Sequence, residues 1–162
     1  MKTLFLVIAS AAIVSFNACS QTSKDVPANL KTAFSKKFPD ATKVKWDKEN
    51  EKEWEAEFKM DGKEYSASFD NNGAWMETEY EISTNEIPAV VKTTIEEEFS
   101  GYKIAESEIS ETADGKVYEF ELEKDKVEME VAIDTNGKII KKEVKKERDD
   151  EGDEENDSED ND

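Results

Sequence analysis

The chain has 162 residues and a formal net charge of −19, from 41 acidic and 22 basic side chains. Such a protein lacks the basic surface that neutralises phosphates, which argues against nucleic acid as a partner. It has no histidine and one cysteine, so the commonest general base and the usual ligands of zinc are missing. We therefore expect a protein without catalytic residues, cofactor or metal site.

Residues 1–20 have the pattern of an export signal. Lys2 gives a positive start, an apolar stretch fills residues 4–14, and small residues follow. Cys19 stands where the lipid-modified cysteine of a bacterial lipoprotein would stand, whereas ordinary cleavage near Ser20 would release a soluble protein. We expect a mature protein of the periplasm, or one attached to the outer membrane through a lipid on Cys19; secretion is the less favoured outcome. That lipid would be its one contact with the membrane.

The opposite end, residues 149–162, is an acidic tail. Ten of its fourteen residues are Asp or Glu, and none is apolar. Because such a segment cannot bury enough surface to offset chain entropy, it is predicted to be disordered. Removing its ten charges leaves −9 for the remainder, so the folded body is acidic in its own right.

The region between these ends repeats itself. The segment 26–32 returns as 87–93, an offset of 61 residues. The turn sequence of residues 70–73 (Asp-Asn-Asn-Gly) returns at residues 134–137 (Asp-Thr-Asn-Gly), an offset of 64. An internal duplication defines an architecture, so we predict two tandem units, residues 26–82 and residues 87–145.

Each unit is predicted to begin with a helix. Apolar side chains at helical spacing follow Pro27 and Pro88, a residue type suited to a first helical turn. These side chains are Leu30, Ala33, Phe34 and Phe38 in the first unit and Val91, Ile95 and Phe99 in the second.

After each helix the apolar period changes from 3.6 to two, which predicts strands. Hairpin turns are predicted at Asp61-Gly62, Asn72-Gly73 and Asn136-Gly137. The fold class is therefore α+β: a tandem repeat of one helix and a four-stranded antiparallel meander, with the helices packed on one face of the sheet. The first strand of the second unit, within residues 102–112, has no clear counterpart in the first unit.

This order of elements resembles a known family of exported bacterial proteins. Its marks are a helix that opens with Pro, the strand Val44-x-Trp46, the strand from Trp54 to Phe58 and the Asp-x-Asn-Gly turn. The family is the PepSY-like, beta-lactamase-inhibitor-like family, and the resemblance covers both units. It implies helices on one side of an exposed sheet and no established enzymatic activity.

Acidic side chains occupy the predicted outward face of the sheet, where they alternate with apolar residues. They are Glu53, Glu55, Glu57, Glu64, Glu119, Glu121, Glu123, Glu128 and Glu130. One interpretation is a solvated face that keeps the sheet from aggregating. The other is a docking surface for a cationic protein or peptide. On an open face these carboxylates are expected to stay ionised.

Trp75 is the remaining candidate for the partner-binding surface. Strand alternation places it on the outward face, where an exposed Trp would suit an interface anchor. A bulge near Gly73 would instead turn it towards the core. Trp46 and Trp54 are predicted to be core residues.

Three functional hypotheses follow. The first is a non-enzymatic cell-envelope binding protein that meets a protein or peptide, as an inhibitor or otherwise, through its acidic face. The second is a calcium-binding envelope protein that uses the tail and that face, although neither has the spacing of an EF-hand loop. The third is a carboxylate-based hydrolase, which requires a carboxyl of raised pKa in a cleft.

Overall fold

A computed structural model describes residues 26–147 of the chain. The predicted signal, Cys19 and the acidic tail all lie outside these residues. The elements are α1 (Ala28–Lys37), β1 (Thr42–Asp47), β2 (Glu53–Met60), β3 (Lys63–Asp70), β4 (Trp75–Glu81), α2 (Ala89–Glu98), β5 (Lys103–Thr112), β6 (Gly115–Lys124), β7 (Val127–Asp134) and β8 (Ile139–Glu147). No helix of the described part is long and apolar enough to cross a membrane.

Both helices begin immediately after a proline and end one residue before a phenylalanine. Pro27 and Pro88 occupy the N-cap positions, where a missing N–H leaves no helical hydrogen bond unmade. At the far end, the N–H of Phe38 donates to the carbonyl of Phe34 at 2.8 Å, and Phe99 makes the same bond in α2 at 2.9 Å. The helices therefore stop in the same way.

The strands form one eight-stranded antiparallel sheet in the order of the chain. The eight-stranded sheet is continuous because β4 pairs with β5, with Tyr80 opposite Ile109 and Glu81 opposite Glu108. The segment with no clear counterpart in the first unit is thus a central strand, β5. A side-chain hydrogen bond strengthens this junction: Ser107 Oγ of β5 donates to the carbonyl of Ile82, the residue after β4, at 2.8 Å.

The apolar core consists of two clusters on the same face of the sheet. One cluster packs α1 against β1 to β3 and contains Trp46 and Trp54 as predicted. The other packs α2 against β5 to β7. They lie on one face because Tyr80, opposite Ile109 of the second cluster, also contacts Tyr65 of the first, with ring centroids 4.8 Å apart. Neither of the two helices of residues 26–147 covers the opposite face.

The two Asp-x-Asn-Gly turns make the same hydrogen bonds, and each lies against the helix of its own half. The carboxylate of Asp70 accepts from the N–H groups of residues 72 and 74, and that of Asp134 accepts from those of residues 136 and 138. Gly73 lies against α1 and Gly137 against α2; a Cβ would stand 3.3 Å from Asn29 O and 2.9 Å from Thr94 Oγ1. Glycine is needed there for this close approach and for a φ of +85° or +83°.

Candidate functional site

The helix-free face of the sheet carries the glutamates expected there. Along β2 and β6 they alternate with buried apolar side chains, such as Trp54 and Phe120, which point to the helices. The same alternation holds in β7, where Glu128 and Glu130 flank the buried Met129. The face is therefore acidic in both halves of the sheet.

The centre of this face contains further carboxylates that the sequence analysis did not include. They are Glu77, Glu79 and Glu81 of β4 and Glu106 and Glu108 of β5. The alternation of Thr78 and Tyr80 towards the core already indicated the β4 set. The β5 set could not be identified because that strand had no recognisable pattern.

Strand pairing aligns these carboxylates in rows across the sheet. Glu108 stands between Glu81 of β4 and Glu119 of β6, its partners in the two ladders. In the next row Glu121 stands between Glu106 and Glu130. Like charges at such cross-strand distances repel. The face therefore concentrates negative potential at the junction between the two halves.

Burial and mutual repulsion shift the pKa values of the central carboxyls upward. Burial, reinforced by Glu77 and Glu119, raises the pKa of Glu79 to about 9. Burial is also the largest cause for Glu55, Glu108 and Glu119, and raises the pKa of each to about 7. The expectation that the carboxylates of this face stay ionised is therefore wrong for its centre. Neighbouring glutamates on adjacent strands remove water from one another.

Lysines neutralise the two lateral edges of the face but not its centre. On the β1 side, Lys45 pairs with Glu57 at 3.4 Å, and Lys59 pairs with Glu64. On the β8 side, Lys141 reaches Glu130 at 3.1 Å. The result is an acidic centre between two mixed margins.

Two central carboxylates differ in their hydrogen bonding. Ser110 Oγ of β5 donates a hydrogen bond to Glu77 Oε1 of β4. Glu119 Oε1 is buried and has no hydrogen-bond partner within residues 26–147. An unsatisfied carboxylate oxygen is costly, which agrees with the raised pKa of Glu119.

Trp75 does not belong to this face. A bulge in the β3–β4 ladder places Trp75 opposite Phe69, and its ring packs against the first core cluster. Its Nε1 donates to Thr78 Oγ1 at 2.8 Å, and the Lys37 ammonium lies 3.4 Å from the ring centroid. The extra residue of the bulge reverses the alternation, so the placement of Trp75 beside the outward glutamates is wrong.

Within residues 26–147, no group of three or more acidic or other ligand side chains is arranged to hold a metal ion. The Asp70 and Asp134 carboxylates of the hairpin turns are instead occupied by backbone N–H groups, and those bonds lower the pKa of both.

Comparison with known proteins defines the class to which this fold and face belong. A model of the PepSY-like, beta-lactamase-inhibitor-like family matches residues 15–65 and 53–141. The chain therefore belongs to this family. No curated protein matches the chain.

Solved structures from Bacteroides species share the fold. A BLIP-like protein from Bacteroides fragilis has a TM-score of 0.69 at 23% identity, over 76% of this chain and 89% of that one. A DUF2874 family protein from Bacteroides uniformis has a TM-score of 0.69 at 21% identity, over 74% and 89%. A protein from Bacteroides eggerthii, provisionally described as periplasmic, has a TM-score of 0.68 at 17% identity, over 74% and 88%.

Proposed function

We propose that this chain is a non-enzymatic binding protein of the bacterial cell envelope that engages a protein or peptide through the helix-free face of its sheet. The observation that carries the proposal is the acidic centre of that face, where no lysine of the described residues pairs with the carboxylates of Glu77, Glu79, Glu81, Glu106 and Glu108. A cationic partner would supply the missing charges, and the field of the face would accelerate its approach.

The partner-binding residues in this proposal are the outward glutamates predicted from the sequence, extended by those of β4 and β5. The inhibitor-like description of the family supports a protein partner. We further propose that binding inhibits the partner, since a docked sheet of this size would cover a substrate site.

We also propose that the chain is a tandem of two units and that it is exported. Two units, residues 26–82 and residues 87–145, would have arisen by duplication, which the repeated helix ends and Asp-x-Asn-Gly turns support. A signal over residues 1–20, with Cys19 as a lipid acceptor, would deliver them to the periplasm or the outer membrane. Mass spectrometry of the mature protein would distinguish a lipid on Cys19 from simple cleavage.

A capture experiment with charge-reversed baits tests the proposal. The chain from Gln21 to Asp162 serves as bait in envelope extract of the producing bacterium, beside a variant carrying Glu121→Lys and Glu123→Lys. A control variant carries Glu96→Lys and Glu97→Lys on the exposed surface of α2. We expect a partner that elutes with salt from the wild type and the control, and that the sheet variant loses. Equal retention by all three baits would contradict a sheet-face interface.

The calcium hypothesis depends on the tail, because the sheet face offers no three-ligand group among the described residues. Calorimetry with calcium, on the chain from Gln21 to Asp162 and on one ending at Arg148, tests it. Heat released by the longer chain alone would assign calcium to residues 149–162.

The hydrolase hypothesis has one observation in its favour, the raised pKa of Glu79 in a groove of the sheet face. It also requires an ionised carboxylate poised beside the substrate. The groove carboxyl with a lowered pKa is Glu64, which is exposed and paired with Lys59. Glu64 is therefore held in an ion pair and is not poised beside a substrate. We expect that neither the wild type nor the Glu79→Gln variant hydrolyses aryl glycosides.

A further inference from the structure

A groove of about 300 Å³ crosses the helix-free face near the β2–β3 hairpin. It lies where β3 and β4 separate: their ladder extends as far as Ser66 opposite Glu79, and no pair follows between Tyr65 and Tyr80. Its volume is at the lower end of the range for ligand sites. It suits one side chain or a short extended segment better than a large ligand.

The two walls of the groove carry opposite charges. Because the strands run in chain order across the sheet, lysines of β1 and β2 form one wall and carboxylates of β4 and β5 form the other. The lysine wall consists of Lys43, Lys45 and Lys59; the carboxylate wall consists of Glu79, Glu81, Glu106 and Glu108.

The two walls differ in how far they are neutralised. Lys45 and Lys59 already have carboxylate partners, in Glu57 and Glu64. In contrast, no side chain of the carboxylate wall forms an ion pair within the described residues. The carboxylate wall therefore has a deficit of positive charge.

Tyr65 and Tyr80 lie at the floor of the groove, where β3 and β4 separate. Their rings contact each other and pack against the core clusters on the helix side of the sheet. A gap between strands beside carboxylates suits a cationic side chain, because the apolar stem can enter the gap while the charged end meets the acids.

We propose that this groove seats one arginine or lysine side chain of the partner, held by the carboxylates of Glu79, Glu81, Glu106 and Glu108, with its stem in the gap between β3 and β4. The proposal rests on the proposed function and names the residue type that the partner inserts. It commits to a basic side chain because the charge that the groove lacks is positive.

Proton release is the signature of this mode of binding. Burial holds the pKa of Glu79 at about 9 and that of Glu108 at about 7. Glu79 lies between Ser66 of β3 and Ser110 of β5, and its charged neighbours are Glu55, Glu77, Glu108 and Glu119; Glu106 and Glu81 surround Glu108. A bound cation favours the ionised carboxylates, so binding at pH 8 would expel protons.

Titration with model peptides tests the groove. The probe is a blocked Gly-Ala-Arg-Ala-Gly peptide, with matched peptides carrying neutral citrulline or glutamate in place of arginine. The protein is the ¹⁵N-labelled chain from Gln21 to Asp162, observed by NMR and by calorimetry in two buffers of different ionisation enthalpy. We expect the arginine peptide alone to shift the amides of residues 79–81 and 106–108 and to release protons.

Variants locate the site. Glu79→Gln with Glu108→Gln is expected to weaken binding of the arginine peptide about tenfold or more, whereas Glu97→Gln with Glu98→Gln on α2 leaves it unchanged. Equal binding of the citrulline peptide, preference for the glutamate peptide, or no shift at these amides would each overturn the groove assignment. The capture experiment with Glu121→Lys and Glu123→Lys, which lie outside the groove, would still decide the proposed function.

Discussion

Individual glutamates differ more within this protein than their sequence positions suggest. Glu79 and Glu57 both alternate with core residues, yet Glu57 is exposed and paired with Lys45, while Glu79 is half-buried among other carboxyls. Position in the sheet explains the difference: Glu57 is near an edge and Glu79 is at the centre. The charge of the face therefore depends on pH mainly through its central residues.

The stability of the protein is expected to peak at about pH 5. Glu55, Glu79, Glu108 and Glu119 have folded-state pKa values above the ordinary 4.5. Between pH 4.5 and those values the folded chain binds more protons than the unfolded chain, so the free energy of unfolding falls as pH rises. The Lys63 ammonium holds the pKa of Glu86 at about 2, so stability also falls below pH 4.5. Thermal unfolding from pH 3 to pH 9 measures this; a stability that rises up to pH 8 would contradict it.

A single substitution tests the effect of a central carboxyl on stability separately from the effect of the protein's overall charge. Glu79→Gln keeps the shape of the side chain and removes the cost of protonating this carboxyl on folding, so it should raise the free energy of unfolding by roughly 4 kcal/mol at pH 8 and by only about 1 kcal/mol at pH 5. Glu97→Gln, on the exposed surface of α2, should change neither value by more than about 0.5 kcal/mol. Urea unfolding at both pH values provides the measurement.

At the scale of elements, the helices are attached to the sheet through the Asp-x-Asn-Gly turns as well as through apolar packing. Thr94 Oγ1 of α2 donates to the carbonyl of Gly137 at 2.7 Å, and Asn29 Nδ2 of α1 donates to the carbonyl of Asn71 at 3.0 Å. Each helix therefore holds the turn that precedes the last strand of its own half.

Removing one such bond should be measurable. Thr94→Val keeps the shape and deletes the hydroxyl, leaving the Gly137 carbonyl without this donor, so it should lower the free energy of unfolding by about 1 kcal/mol. The matched control is Thr93→Val, whose hydroxyl bonds to the carbonyl of Ala89 in its own helix. Chemical denaturation that finds the two variants equally stable would show that the turn contact contributes nothing.

At the scale of the whole molecule, two apolar clusters share one sheet. They meet at β4 and β5, where the Tyr65–Tyr80 contact joins the side chains and the β4–β5 ladder joins the backbones. Lys63 of β3 also pairs with Glu86 in the segment before α2, at 2.6 Å. These contacts are expected to make the two halves unfold together.

The tryptophans allow that cooperativity to be observed. All three, Trp46, Trp54 and Trp75, lie in the first half, so their fluorescence reports that half while far-ultraviolet dichroism reports both. We expect coincident transitions in the wild type and separated ones in Tyr80→Ala, with a loss of about 2 kcal/mol. Tyr102→Ala, which removes a ring packed on Phe99 away from the junction, should destabilise the protein but keep the transitions coincident.

The sequence by itself determined the local elements of this protein. Apolar spacing predicted both helices and most strands, the Gly-containing pairs predicted three of the hairpin turns, and alternation predicted that the glutamates of β2, β6 and β7 avoid the core. It missed β5 as a pattern and left Trp75 open between the outward face and the core, since alternation alone does not decide whether a one-residue bulge such as the one at Met76 is present.

The tertiary structure alone decided how these elements act together. Pairing of β5 with β4 and β6 placed Glu81, Glu108 and Glu119 in one row, and the separation of β3 from β4 opened the groove beside Tyr65 and Tyr80. Periodicity is a property of neighbours in the chain, whereas burial and repulsion between carboxyls depend on strands that meet through long-range hydrogen bonds. For that reason the acidity of the face was predictable, and the raised pKa values at its centre were not.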